Sequence, residues 1–146
     1  MIASMIVKRM IRSSFLKMNQ DKFDVDSFLS NWADDAIWDG ASELGVGGTI
    51  KGKKAIAEWL RRWIEEFPKR NFAVKNICFG AWPLSPTNVV TVEWTCEETD
   101  REGKKFKYDG VEVIHVKNFK TIRASEYISG SGLPQLSTLI NPVGET

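Results

Sequence analysis

Residues 53–68 read KKAIAEWLRRWIEEFP, and within them Ile56, Trp59, Leu60, Trp63, Ile64 and Phe67 recur at i, i+3, i+4, i+7, i+8 and i+11. That spacing lays large apolar side chains along one stripe of an α-helix, and Pro68, which has no backbone N–H to give, stops it. A helix with such a stripe needs a surface to cover it. After Pro68 the apolar period changes to two, with strands expected at about 71–81, 88–99, 104–117 and 120–129, divided by the turn material PLSPTN, DREG and KNFK. The covering surface is therefore expected to be a long, bent antiparallel sheet.

Upstream of residue 53, Ile11, Phe15 and Met18 recur at helical steps, and Asp24 is placed to cap the segment VDSFLSNW, in which Val25, Phe28, Leu29 and Trp32 share a face. In ADDAIWDG a short strand sets Ile37 and Asp39 on one side and Ala36 and Trp38 on the other; a glycine-rich loop follows over 40–52. Together these elements predict a single α+β domain over 1–129. It is cone-shaped, with three N-terminal helices packed on a curved antiparallel sheet that encloses a pocket. A C-terminal tail, 130–146, is expected to pack through Leu133, Leu136 or Leu139. Gly110 and Ala124 are small at inward positions, which leaves room, while Trp38, Trp59, Trp63, Trp94 and Tyr108 supply aromatic walls. The alternative is that the tryptophans simply fill the core.

Composition narrows the partners. Twenty basic residues stand against nineteen acidic ones, so the overall balance predicts neither a nucleic-acid surface nor an anionic membrane surface. No apolar run approaches the ~20 residues of a spanning helix, and the opening MIASMIVKRM lacks a cleavage-like site. The expectation is a soluble, unprocessed, cytoplasmic protein. Cys78 and Cys96 make no metal spacing, and the lone His115 falls on an outward position with Val111 and Val113. No metal or organic cofactor is expected. The basic run at 51–54 is solvated charge at a helix start, since the strand–loop–helix pattern of a phosphate loop is missing.

Two acidic residues break the inward apolar pattern. Alternation gives the third long strand Phe106, Tyr108, Glu112, Ile114 and Val116 as its inner face, and gives the last strand Ile122, Ala124, Glu126 and Ile128. If both inner faces match across the hairpin, Glu112 lies either opposite Glu126 or one diagonal step away. Opposed side chains have Cβ atoms about 4.5–5.5 Å apart and diagonal ones about 7–8 Å. Two carboxyls that close in a dry pocket cannot both ionise cheaply. One then holds a proton and can donate to a developing oxyanion, while its ionised neighbour can remove a proton. The plain alternative is that both glutamates only accept hydrogen bonds from Tyr108, an indole N–H or water.

The run FLSNWADDAIWDG, the segment GTIKGKKAIAEWL and the closing VKNFKTIRASEY resemble the NTF2-like superfamily, and within it the SnoaL-like branch, over roughly residues 8 to 129. The resemblance implies the cone fold; because that superfamily holds isomerases, polyketide cyclases, dehydratases, epoxide hydrolases and proteins without catalysis, it does not by itself imply one reaction. By similarity to the isomerase branch, Asp39 lies one residue before the position of a general-base aspartate, Glu112 matches a protonated acid that donates to the oxyanion, and Phe15 stands where a partner tyrosine is found. Glu126 matches the final acid of the epoxide-hydrolase set, but Trp94 and Cys96 replace its other two members. Phe119 occupies a turn position where the family usually has glycine. The leading expectation is an enzyme that moves a proton next to a carbonyl of an apolar small molecule, as an isomerase, cyclase or dehydratase, with Glu112, Glu126 and Asp39 as candidates. The competing one is a non-catalytic small-ligand-binding or association module. Either is expected to form a homodimer through the outer sheet face that carries Val111, Val113 and Tyr127.

Overall fold

The helical stripe of residues 53–68 forms α3, Lys53–Glu66, in a computed structural model that describes residues 1–41 and 48–130. It buries Ile56, Ala57, Trp59, Leu60 and Trp63 against the sheet, and Phe67 closes its C-terminal end. Before it come α1 (Ile2–Leu16), a 3-10 turn at Lys17–Asn19, and the single-turn helix α2 (Val25–Phe28). Asp24 caps α2 as expected, its carboxylate accepting from Ser27 N at 3.0 Å. The predicted second helix is shorter than its apolar pattern, because the chain turns at Leu29 and enters β1 at Trp32.

The strands are β1 (Trp32–Gly40), β2 (Gly48–Lys51), β3 (Lys69–Phe79), β4 (Asn88–Thr99), β5 (Lys105–Lys117) and β6 (Lys120–Ser129). They form one sheet in the order β2-β1-β6-β5-β4-β3. Two features depart from the expectation of helices followed by an antiparallel sheet. First, β1, where the ADDAIWDG strand is expected, and β2, in the stretch read as loop, join the same sheet, so the third helix lies between strands of the sheet it covers. Second, β1 pairs with β6 in parallel, Trp38 beside Ala124 and Asp39 beside Ser125, which makes the sheet mixed. Periodicity reports which face a side chain takes, not which distant strand lies alongside, so this pairing left no trace in the sequence. The tail from residue 131 onward, with Leu133, Leu136 and Leu139, and the loop 42–47 lie outside the described residues.

Alternation places β4 correctly: Val90, Val92, Trp94 and Cys96 are buried while Glu93 and Glu97 face out. On β6 it fails at one residue. The β5–β6 ladder changes register between His115↔Arg123 and Val116↔Thr121, so Ile122 is the extra residue of a bulge; it is turned outward and Thr121 faces in. Gly110 also departs from its reading as a source of empty space. A Cβ there would collide with Cζ2 and Cη2 of Trp94, its partner on β4, so the indole ring already fills the gap.

Candidate functional site

Sheet curvature leaves a cavity of about 510 Å³ between the inner strand faces and helices α1 and α3. Helix α3 contributes Ile56, Trp59, Leu60 and Trp63, β1 contributes Trp38, and the central strands contribute Trp94, Tyr108, Glu112 and Glu126. The rings form a connected wall. Centroid separations are 4.4 Å for Trp38–Trp59, 6.4 Å for Trp59–Trp63, 5.9 Å for Trp63–Phe72, 5.2 Å for Phe72–Trp94 and 6.0 Å for Trp94–Tyr108. Rings spaced within 4.5–7 Å support one another in offset or edge-to-face contacts. The tryptophans are thus core residues on one side and cavity walls on the other, since each is buried and each borders the open space.

Glu112 and Glu126 stand directly opposite one another on β5 and β6. Glu112 is buried, and burial pushes its carboxyl up to about 8, with a hydrogen bond from the Trp38 side chain acting the other way. At neutral pH it therefore carries a proton and can donate. Glu126 is half-buried and borders the same cavity.

Asp39 does not join them. It shares the strand face of Ile37, opposite Trp38, and accepts hydrogen bonds from Arg123 Nε at 2.6 Å, Ser125 Oγ at 2.9 Å and Thr49 Oγ1 at 2.9 Å. Partial burial alone would raise its pKa, but the three donors and the Arg123 charge together hold it below the ordinary value. A carboxylate so stabilised is a weak base, and it ties β1, β2 and β6 together on the outside of the sheet. The family-based reading of Asp39 as a cavity base is corrected here, for the reason that alternation itself supplies: the side chain beside Trp38 points the other way.

A further acid was not singled out from the sequence. Glu98 continues the inward series Val90, Val92, Trp94, Cys96, and only 1 % of it is exposed. Burial pushes its carboxyl up to about 7, against hydrogen bonds from Tyr108 and Trp63 and the charge of Arg70. The indole Nε1 of Trp63 donates to Glu98 Oε2 at 3.3 Å. Arg70 is its cross-strand partner on β3, also buried, yet the guanidinium donates to the carbonyls of Met18 at 2.9 Å, Phe67 at 2.6 Å and Gln20 at 2.8 Å. That is why Arg70 does not keep Glu98 fully ionised. Glu98 thus lies behind two cavity-wall side chains, Trp63 and Tyr108, and holds both. Extending the β4 alternation by one more step would have found it.

Among the described residues no group of three or more His, Cys, Asp or Glu is placed to hold a metal ion. None of their helices is long and apolar enough to cross a membrane. Cys78 and Cys96 are both free thiols.

Residues 14–124 match the SnoaL-like domain, and the chain belongs to that family. Solved structures of the same fold include a protein provisionally named an aromatic ring hydroxylase from Novosphingobium aromaticivorans, 15% identical, with a TM-score of 0.69 over 94% of each chain. An NTF2-like protein from Anabaena variabilis is 17% identical, TM-score 0.67, over 90% of this chain and 93% of its own. A protein provisionally named a polyketide cyclase from Xanthomonas campestris pv. campestris is 16% identical, TM-score 0.59, over 83% of this chain and 88% of its own. No curated protein matches the sequence. At these identities the likeness is one of fold, and a shared fold does not by itself assign a reaction.

Proposed function

We propose that this protein is a cofactor-independent enzyme that transfers a proton next to a carbonyl group of an apolar small molecule, as an isomerase, cyclase or dehydratase does. The observation that carries the reading is the direct opposition of Glu112 and Glu126 on one cavity wall. In this reading the protonated Glu112 donates a hydrogen bond to the substrate carbonyl oxygen. Ionised Glu126 takes the proton from the adjacent carbon, the electron pair of that C–H bond forms the enolate, and Glu112 stabilises the oxygen as its charge grows. Glu126 then returns the proton at another carbon, or the carbanion closes a ring or expels a leaving group. Trp38, Trp59, Trp63, Trp94 and Tyr108 hold the apolar body and keep water away, so that the hydrogen bond from Glu112 acts in a low-dielectric space. In this account β6 supplies the base and β5 the acid.

The test is exchange of carbon-bound hydrogen in D2O for a panel of bulky apolar ketones. Exchange is expected with the wild type and lost by a factor of at least about 10² in Glu126→Gln and in Glu112→Gln alike. Absence of exchange throughout the panel, with ketones nevertheless bound, would favour the second reading. That reading, a non-catalytic binding module, is favoured by the Trp38 hydrogen bond to Glu112, which satisfies the buried acid without any substrate. It requires affinity to survive Glu112→Gln and to fail with Trp63→Ala. Under either reading we expect a homodimer through the outer face, where Tyr127 is exposed beside half-buried Val111 and Val113. Light scattering that finds only monomer would remove that part.

A further inference from the structure

Helix α1 is apolar on two sides. Val7, Ile11, Ser14 and Phe15 turn toward the cavity. On the opposite side Ile2, Met5, Ile6 and Leu16 are exposed, at 74%, 67%, 54% and 42%, and Met10, 66% exposed, stands between the two sides at the cavity's edge. A surface helix normally gives its outer face to polar residues. Here the only interruptions of that exposed face are Arg9, Arg12 and Ser13.

Charge is equally lopsided. Lys8, Arg9, Arg12 and Lys17 are the only charged side chains between Met1 and Gln20, and all are basic; the remainder of the chain carries a slight acidic excess. A near-neutral total therefore conceals a positive helix on a weakly negative body. None of the ion pairs among the described residues involves these four side chains.

The apolar face also leads to the cavity. Met10, Leu84 and Phe119 each border the cavity and are each more than half exposed, so they mark its mouth. Trp82, at 58% exposed, precedes Leu84 on the same loop.

We propose that α1 docks the protein on an anionic lipid bilayer. Ile2, Met5, Ile6 and Leu16 enter the boundary between headgroups and acyl chains, and Arg9, Arg12 and Lys17 meet the lipid phosphates, as an interfacial amphipathic helix does. Met10 and the cavity mouth then face the membrane, which supplies apolar ligand. This reverses the expectation drawn from the whole-chain charge. A second copy of the chain is a poorer occupant, because pairing through this face would bring two sets of like charges together. The docking does not depend on the catalytic reading, and its test measures no activity.

The experiment is flotation of the full chain with vesicles of equal parts phosphatidylglycerol and phosphatidylcholine, and with phosphatidylcholine alone. Binding is expected only to the anionic vesicles, weakening as salt rises. Arg9→Gln with Arg12→Gln should lower the partition coefficient roughly thirty-fold. Ile2→Ser with Ile6→Ser keeps the charge and should also release the protein, which separates insertion from electrostatic attraction alone. All four positions are exposed, so folding is retained. No partition into anionic vesicles at low salt overturns the proposal, as does binding indifferent to both variants. A lipid-free dimer that Ile2→Ser with Ile6→Ser dissociates overturns it too, by identifying a second copy as the occupant.

Discussion

The indole ring of Trp94 occupies the space that a side chain on Gly110, its partner across β4 and β5, would take. The glycine is what allows the ring to lie flat on the strand, and the ring in turn sets one wall of the cavity.

Gly110→Ala should therefore destabilise the fold by about 1–3 kcal/mol, the usual cost of forcing extra volume into a packed site. Thermal denaturation measures it. An equally stable alanine variant would mean that the ring can shift aside without cost.

Arg70 and Glu98 are neighbours across the β3–β4 ladder. Arg70→Ala leaves the carbonyls of Met18, Phe67 and Gln20 without their donors and removes the only cation facing Glu98 across the ladder. Leaving a buried polar group without its hydrogen-bond partner costs about 1–3 kcal/mol. Urea denaturation should show a loss of that size, whereas an exposed arginine would give almost none.

The pH dependence of stability has a definite sign. Glu112 and Glu98 are raised from the ordinary 4.5 to about 8 and about 7. Between 4.5 and those values the folded state keeps protons that the unfolded state releases, so stability falls as pH rises. Each carboxyl contributes a slope of about 1.4 kcal/mol per pH unit at most, ending near its folded value. Glu112→Gln should gain stability relative to wild type between pH 5 and pH 8, in denaturant titrations at a series of pH values. A constant difference would contradict the burial of the acid.

Asn118 and Phe119 both have positive φ, 51° and 61°, in the turn that joins β5 to β6. Two such residues in a two-residue hairpin loop form a type I′ turn, for which Asn-Gly is the favoured pair. A phenylalanine in the left-handed region costs about 1–2 kcal/mol, and glycine recovers part of that after its larger unfolded-state entropy is counted. Phe119→Gly should raise the melting temperature. Since Phe119 borders the cavity mouth, it should also alter ligand access.

How far the sequence disclosed this site depended on whether a residue's role is local. That Glu112 and Glu126 share the inner face was legible from period-two alternation, which left direct opposition or one diagonal step; the bulge at Ile122 sets the direct register, since the turn that pairs Lys117 with Lys120 would by itself bring Glu112 opposite Ser125. The outward side of Asp39 was legible from Trp38 in the same way. The parallel contact of β1 with β6, the filling of Gly110 by Trp94 and the hold of Glu98 on Trp63 and Tyr108 were not. Each needs two segments far apart in the chain, and no local pattern records their meeting.

The most direct test of the account is a carbon-13 NMR titration of the glutamate side-chain carboxyls. The account predicts one glutamate signal titrating near 8, absent in Glu112→Gln. If every glutamate instead titrates near its ordinary value, there is no neutral acid in the cavity to donate a proton, and the proposed chemistry fails.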